Sequence, residues 1–110
     1  MDHTVWNKYG AALANSNKTE QAKQAYQQAI ELRPNYVRTL VNIGLAHNNN
    51  QDFMTATKYF LDALMLNPQA KHLWSYTRQS LLQADNFELL ELLERKDPSL
   101  FRGTFDLLDP

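Results

Sequence analysis

Two stretches of this chain align with each other at a spacing of 34 residues, and this repeat limits the possible folds more than any other feature. Each copy places large, glycine, alanine, aromatic and proline residues in the same order. In the first copy these residues are Trp6, Tyr9, Gly10, Leu13, Ala22, Tyr26, Ala29 and Pro34. In the second copy they are Leu40, Ile43, Gly44, His47, Ala56, Phe60, Ala63 and Pro68. A match at so many positions with one fixed offset indicates a repeat protein.

The order of these residues resembles the tetratricopeptide repeat (TPR) pattern, in which each repeat is a pair of helices joined by a turn. Small residues, Gly10 with Ala29 and Gly44 with Ala63, allow the two helices of a pair to approach closely. Bulky residues then fill the gaps between pairs. We therefore predict an all-α fold, a TPR helix-turn-helix solenoid that ends in a C-terminal capping helical segment.

Helical periodicity and local breakers predict where the helices lie. The predicted helices cover residues 4–15 and 20–31 in the first pair, and residues 37–49 and 53–66 in the second. The asparagine-rich segments 15–17 and 48–50 fall at the turns inside the pairs, since Asn tolerates left-handed backbone. Pro34 and Pro68 end the repeats because proline cannot extend the helix that precedes it.

After Pro68 the pattern starts again and then decays. Trp74 takes an expected first-helix position, but Arg78 stands where the earlier repeats have glycine. Segment 87–94 is amphipathic and lacks the alanine–aromatic spacing, which is typical of a capping unit whose outer face meets water. The tail after residue 98 carries enough apolar residues to fold back onto the helices. We therefore divide the chain into a TPR unit at 3–36, a TPR unit at 37–70, and degenerate capping helices with a C-terminal tail at 71–110.

Composition narrows the classes of function. The chain is 44% hydrophobic with a net charge of −1, so it offers no strong field to attract nucleic acid or an anionic membrane. No apolar run approaches the roughly 18 residues of a membrane span, and the start of the chain does not resemble a secretion signal. The absence of cysteine excludes disulfides and thiolate zinc sites. We expect a soluble intracellular protein that is not an enzyme and needs no cofactor or metal.

The first repeat begins without a solvent-adapted helix before it. We therefore expect this chain to be the C-terminal piece of a longer array, because stable arrays contain about three or more repeats with caps. The leading face of the first pair is then an unpaired repeat surface. Such a surface favours homo-oligomers of an isolated fragment.

Five polar residues of the predicted first helices are candidates for ligand contact. They are Asn7, Asn15, Arg38, Asn42 and Asn49. Their intervals place each helix's members on one face. An Asn side chain can both donate to and accept from an extended peptide backbone, and Arg offers a charged fork to a carboxylate. Together they describe a site for a peptide C-terminus. The alternative is that the asparagines are turn residues and the arginine a solvated charge.

Three segments of the chain resemble the receptor family for the type 1 peroxisomal targeting signal, over about residues 4–82. The matching segments are Trp6-Asn7-Lys8, Tyr36-Val37-Arg38 with Asn42, and His72 with Trp74 and Ser75. The resemblance implies that the five candidate residues contact or support a cargo tail that ends in Ser-Lys-Leu or a similar tripeptide. It also implies a receptor that works in the cytoplasm and cycles to the peroxisomal membrane, where it meets docking proteins through regions outside this chain. Neither nucleic acid nor a membrane span is expected.

Two other interpretations stay open. One is a TPR scaffold for a multiprotein assembly, and the other is a co-chaperone-type binder of another C-terminal peptide. The five positions that would form the co-chaperone clamp hold Asn7, Ala11, Asn42, His72 and Tyr76. Only one of them fits, and the cationic charge of that clamp is missing. An enzyme is less favoured, because the three histidines lack the spacing of metal ligands and His47 is expected to be a packing contact.

Overall fold

The computed structural model describes residues Met1–Pro110, and its regular structure is entirely helical. The helices are α1 (His3–Asn15), α2 (Thr19–Leu32), α3 (Val37–Asn49), α4 (Phe53–Leu66), α5 (Lys71–Gln83) and α6 (Phe87–Leu93), followed by a short 3-10 helix (Pro98–Phe101). Helix α1 packs on α2, α3 on α4, and α4 on α5, while α3 also contacts both helices of the first pair. The predicted all-α helix-pair fold is confirmed, with helix bounds within one residue of those predicted for the first two pairs.

The turn between the two helices of a pair has the same geometry three times. A left-handed residue recurs every 34 residues, at Asn17, Gln51 and Asp85, with φ values of 61°, 64° and 55°. The next backbone N–H then bonds to a carbonyl near the end of the first helix, at distances of 2.9, 2.9 and 3.0 Å in the three turns. The third unit thus keeps the turn after its residue pattern has decayed. The second left-handed residue lies just outside the predicted segment 48–50, because α3 remains helical through Asn49.

Close approach within each pair depends on a glycine of the first helix that faces an aromatic ring of the second. A Cβ atom on Gly10 would lie 2.7 Å from the Tyr26 ring, and one on Gly44 would lie 2.6 Å from the Phe60 ring. Real Cβ atoms do not approach other atoms so closely, so the ring occupies the space that a side chain would need. The alanines expected to share this role, Ala29 and Ala63, are also fully buried.

The third pair replaces this glycine–aromatic contact with charge. Arg78 and Glu94 stand at the equivalent positions, and their side chains form an exposed ion pair at 3.5 Å. Exposed ion pairs contribute little to stability. The second helix of this pair is correspondingly short, with only 7 residues in α6.

The C-terminal segment (residues 94–110) folds back onto α4 and supplies the core that the short α6 lacks. Phe101 is fully buried and Leu107 is nearly so. The backbone N–H of Leu108 donates to the Asp62 carboxylate on α4 at 2.9 Å, and Lys58 pairs with the same carboxylate. Asp62 is only 1% exposed, whereas Gln28 at the equivalent position of the first repeat is exposed. The C-terminal segment is therefore what buries this side of the second repeat.

The two tryptophans differ in burial although both were expected in the repeat core. Trp74 is buried, and its indole N–H donates to the Pro68 carbonyl at 2.9 Å. Trp6 is only half-buried, because no helix of this chain packs on the leading side of α1 and α2. The side chains of Tyr9 and Leu32 are about half exposed in the same pair.

Replacing Gly44 with Ala tests the glycine–aromatic contact. The added methyl must displace the Phe60 ring, and this strain exceeds the gain in helix propensity of about 1 kcal/mol. We expect the free energy of unfolding to fall by about 1–2 kcal/mol in urea denaturation. Gly103→Ala is the control, because a Cβ atom there meets nothing within 4 Å. An unchanged unfolding midpoint in Gly44→Ala would show that the contact is not tight.

Replacing Asp62 with Ala tests how the C-terminal segment is attached. The Leu108 N–H then loses its acceptor and Lys58 loses its partner, so we expect the free energy of unfolding to fall by about 1–3 kcal/mol. Asp62→Asn keeps one acceptor oxygen and should lose less. Gln28→Ala, at the equivalent exposed position, should change stability by less than about 0.5 kcal/mol. Equal losses in Asp62→Ala and Gln28→Ala would contradict this assignment.

Candidate functional site

The structure joins two of the five candidate residues across the repeat boundary. The side-chain N–H of Asn42 on α3 donates to the side-chain carbonyl of Asn7 on α1 at 3.1 Å. Asn7 is 3% exposed and Asn42 is half-buried. No other protein group bonds to either side chain, so the amide N–H groups of Asn7 and the carbonyl of Asn42 remain unpaired within the protein. The amide pair can therefore still offer both a donor and an acceptor.

The other two asparagines form the far end of the same helix faces. Asn15 is the last residue of α1 and Asn49 is the last residue of α3. Both are exposed, and neither side chain bonds to the protein. Asn15 lies about 12 Å along α1 from Asn7, and Asn49 lies about 10 Å along α3 from Asn42, given the rise of a helix. The structure thus leaves these amides free for a ligand but does not bring them into contact with the first pair.

Arg38 lies in the first turn of α3, is exposed and forms no ion pair. It helps to line a pocket of about 490 Å³ together with Arg33, Tyr36 and His72. The Arg33 guanidinium lies 4.7 Å from the centre of the Tyr36 ring, which holds that charge in place. None of the pocket's seven lining residues is acidic. Two arginines beside the N-terminus of α3 make this the end of the site that favours an anionic group.

Sequence reasoning did not identify Arg33 as part of this pocket. Arg33 precedes Pro34 in the loop between the repeats, where helical periodicity gives no information on side-chain direction. Its proximity to Tyr36 within the loop was the available signal. Arginine stacking on an aromatic ring is common, but the spacing alone does not specify it.

The polar residues along α3 extend over a useful distance. From Arg38 to Asn49 the helix rises about 16 Å. An extended peptide advances about 3.3 Å per residue, so this length matches about five residues of a ligand. Amides along the length and cations at one end suit the backbone and the terminal carboxylate of a short peptide.

The histidines are placed for packing. His47 stacks on Tyr59 with ring centres 5.6 Å apart and an angle of 7° between the rings. Burial lowers the pKa of His47, although its Nδ1 lies 3.4 Å from the Asp52 carboxylate. His3 contacts the edge of the Tyr36 ring. No three residues among His, Asp and Glu lie close enough together to hold a metal ion, and no helix has the length and apolar character that a membrane crossing requires.

Two family models match the chain where the helix pairs lie. One, described as TPR repeat, matches residues 10–51, and the other, described as tetratricopeptide repeat, matches residues 37–70. Together these ranges include most of the first pair and all of the second. They overlap along α3, which carries three of the five candidate residues.

The chain is similar to proteins named peroxisomal targeting signal receptor in several yeasts. The relative from Saccharomyces cerevisiae is 36% identical over 86% of this chain. The relative from Candida glabrata is 34% identical over 98% of the chain, and that from Eremothecium gossypii is 31% identical over 96%. The chain spans 15%, 20% and 21% of the length of these three relatives. The family models and the relatives together show that the chain belongs to the tetratricopeptide repeat family, as a TPR region related to the peroxisomal targeting signal receptors.

Proposed function

We propose that this chain is the peptide-binding module of a peroxisomal matrix-protein import receptor, and that it recognises a C-terminal Ser-Lys-Leu-type signal on its cargo. The observation that carries the proposal is the Asn7–Asn42 amide pair on the same helix faces as an unpaired Arg38. The relatives, whose names state that they are receptors for a peroxisomal targeting signal, support the same class of ligand.

The proposed mechanism is recognition without covalent chemistry, so the module is not an enzyme and needs no cofactor. Asn7, Asn15, Asn42 and Asn49 bond to the backbone of the cargo tail, which makes binding tolerant of changes in the preceding sequence. Arg38 attracts the terminal carboxylate or orients the asparagines. A targeting tripeptide is an address read by a receptor, and capture of a C-terminal carboxylate is a known mode of peptide recognition.

The proposal includes where the module acts and what completes it. The receptor works in the cytoplasm and cycles to the peroxisomal membrane, where docking proteins bind it through regions outside this chain. Earlier repeats supply the opposite wall of the cargo site. The net charge of −1 is consistent with attraction confined to the arginine-lined pocket, rather than spread over the whole surface.

A scaffold role is the second candidate, and the exposed apolar residues of the first pair favour it. Val5, Tyr9 and Leu32 are each more than 40% exposed, as in surfaces that other proteins or repeats cover. A scaffold partner would not need a free C-terminal carboxylate. Dependence on that carboxylate therefore separates the two candidates.

Replacing Asn42 with Ala in the full-length receptor tests the backbone contacts. The variant loses its own amide and leaves Asn7 without its partner, so we expect affinity for a peptide ending in Ser-Lys-Leu to fall about tenfold. Fluorescence anisotropy of a labelled peptide measures this. Asn67→Ala is the control, because Asn67 is exposed after α4 and away from the site. If Asn42→Ala binds as tightly as the parent while its helical content is unchanged, the proposed role of this residue is wrong.

Replacing Arg38 with Gln tests the charged end of the site. The parent should prefer the free carboxylate over the amidated peptide, and Arg38→Gln should reduce this preference about tenfold, the size of one charge-assisted hydrogen bond. Arg95→Gln removes an exposed arginine beyond α6 and should leave the preference unchanged. Equal binding of both peptides by the parent would instead support the scaffold.

A further inference from the structure

The two interfaces between successive helix pairs differ in how well they are filled. Between the first and second pairs, helices α2, α3 and α4 enclose a pocket of about 300 Å³. Its walls are largely apolar and include Tyr26, Ile30, Ile43 and Tyr59. Asn49, at its edge, is the only one of the five candidate groove residues that lines it. The pocket is therefore a separate feature from the proposed peptide site.

The equivalent positions of the next interface, 34 residues further along, are packed. Thr57 and Ser80 are fully buried there and their hydroxyls form a hydrogen bond of 2.6 Å, which joins α4 to α5. At the corresponding positions the first interface has Lys23 and Ala46, which cannot form such a bond. The cavity is thus encoded by particular residues of the first interface and is not a general property of the repeat.

Tyr26 gives this pocket a polar group without a partner. The residue is only 4% exposed, and no protein group forms a hydrogen bond with its hydroxyl. Burial raises the pKa of Tyr26 to about 12, so the hydroxyl keeps its proton and can donate. The second repeat has Phe60 at this position, which fills the same space against glycine without any hydroxyl. Buried hydroxyls normally have a partner, so this one indicates a missing hydrogen-bond acceptor or donor.

The charged groups at the rim are already neutralised. The Lys23 ammonium lies 3.4 Å from the Glu20 carboxylate. His47 lies beside Asp52 and its lowered pKa favours the neutral ring. The rim therefore presents no free charge to attract an ionic ligand. Aromatic and branched apolar walls instead suit a flat apolar molecule.

We propose that this pocket binds a small, uncharged aromatic molecule that carries one hydrogen-bonding group, with the ring against the apolar walls and the polar group on the Tyr26 hydroxyl. The ligand class follows from the volume, the wall chemistry and the unpartnered hydroxyl. The site is independent of the proposed peptide recognition, so it can be tested whether or not the chain binds cargo.

Titration with 4-fluorophenol tests the site, with fluorobenzene as the probe that lacks the hydroxyl. Fluorine NMR gives the affinities, and amide chemical shifts of the labelled protein give the location. We expect saturable binding of 4-fluorophenol with a dissociation constant on the order of a millimolar. The largest shifts should fall near Ile30 and Ile43. Fluorobenzene should bind about fivefold more weakly because it forms no hydrogen bond.

Two variants make the assignment specific. Tyr26→Phe copies the second repeat, so it should stay folded and bind the two probes equally. Ala46→Leu should fill the cavity and abolish binding of both, whereas Ala12→Leu, at an exposed position of α1, should abolish neither. Absence of saturable shifts at the pocket residues, or a fivefold preference that survives in Tyr26→Phe, would overturn the proposal. The Tyr26→Phe result decides even if Ala46→Leu does not fold.

Discussion

The contact between a glycine of the first helix and an aromatic ring of the second is the constraint on which the other features of this fold depend. It sets how closely α1 approaches α2 and α3 approaches α4, because the ring lies where a side chain would otherwise point. That spacing determines which faces of α1 and α3 remain free. The third pair has no such contact, and there the C-terminal segment and α5 supply the burial of α4 that a complete second helix would provide.

A repeat with one offset need not produce identical interfaces. The Thr57–Ser80 bond closes the second interface, while Lys23 and Ala46 leave the first one open around Tyr26. Small changes at equivalent positions therefore turn packing surface into a cavity, since protein interiors fill nearly all of their space. A solenoid can acquire a small-molecule site in this way without changing its backbone.

Much of the fold could be predicted from the sequence, because the 34-residue offset fixes helix pairs, turns and their order together. The five site residues could be assigned to helix faces, but the Asn7–Asn42 bond could not be predicted. These two residues stand 35 positions apart, so equivalence within the repeat does not pair them. Their contact depends on the rotation of α3 against α1, which sequence periodicity leaves free. The cavity around Tyr26 and the position of Arg33 depend on packing and loop geometry in the same way.

The attachment of the C-terminal segment through Asp62 makes the chain mechanically uneven. Helices α4 and α5 hold the larger buried cluster, while α1 and α2 rest on a smaller one and have a free outer side. In a solenoid, each unit gains stability only from its neighbours, so the first pair is the part that opens most easily. The Asn7–Asn42 bond crosses the junction between the two regions. A ligand held by both asparagines would therefore act as a brace, and its binding energy would also hold the first pair closed.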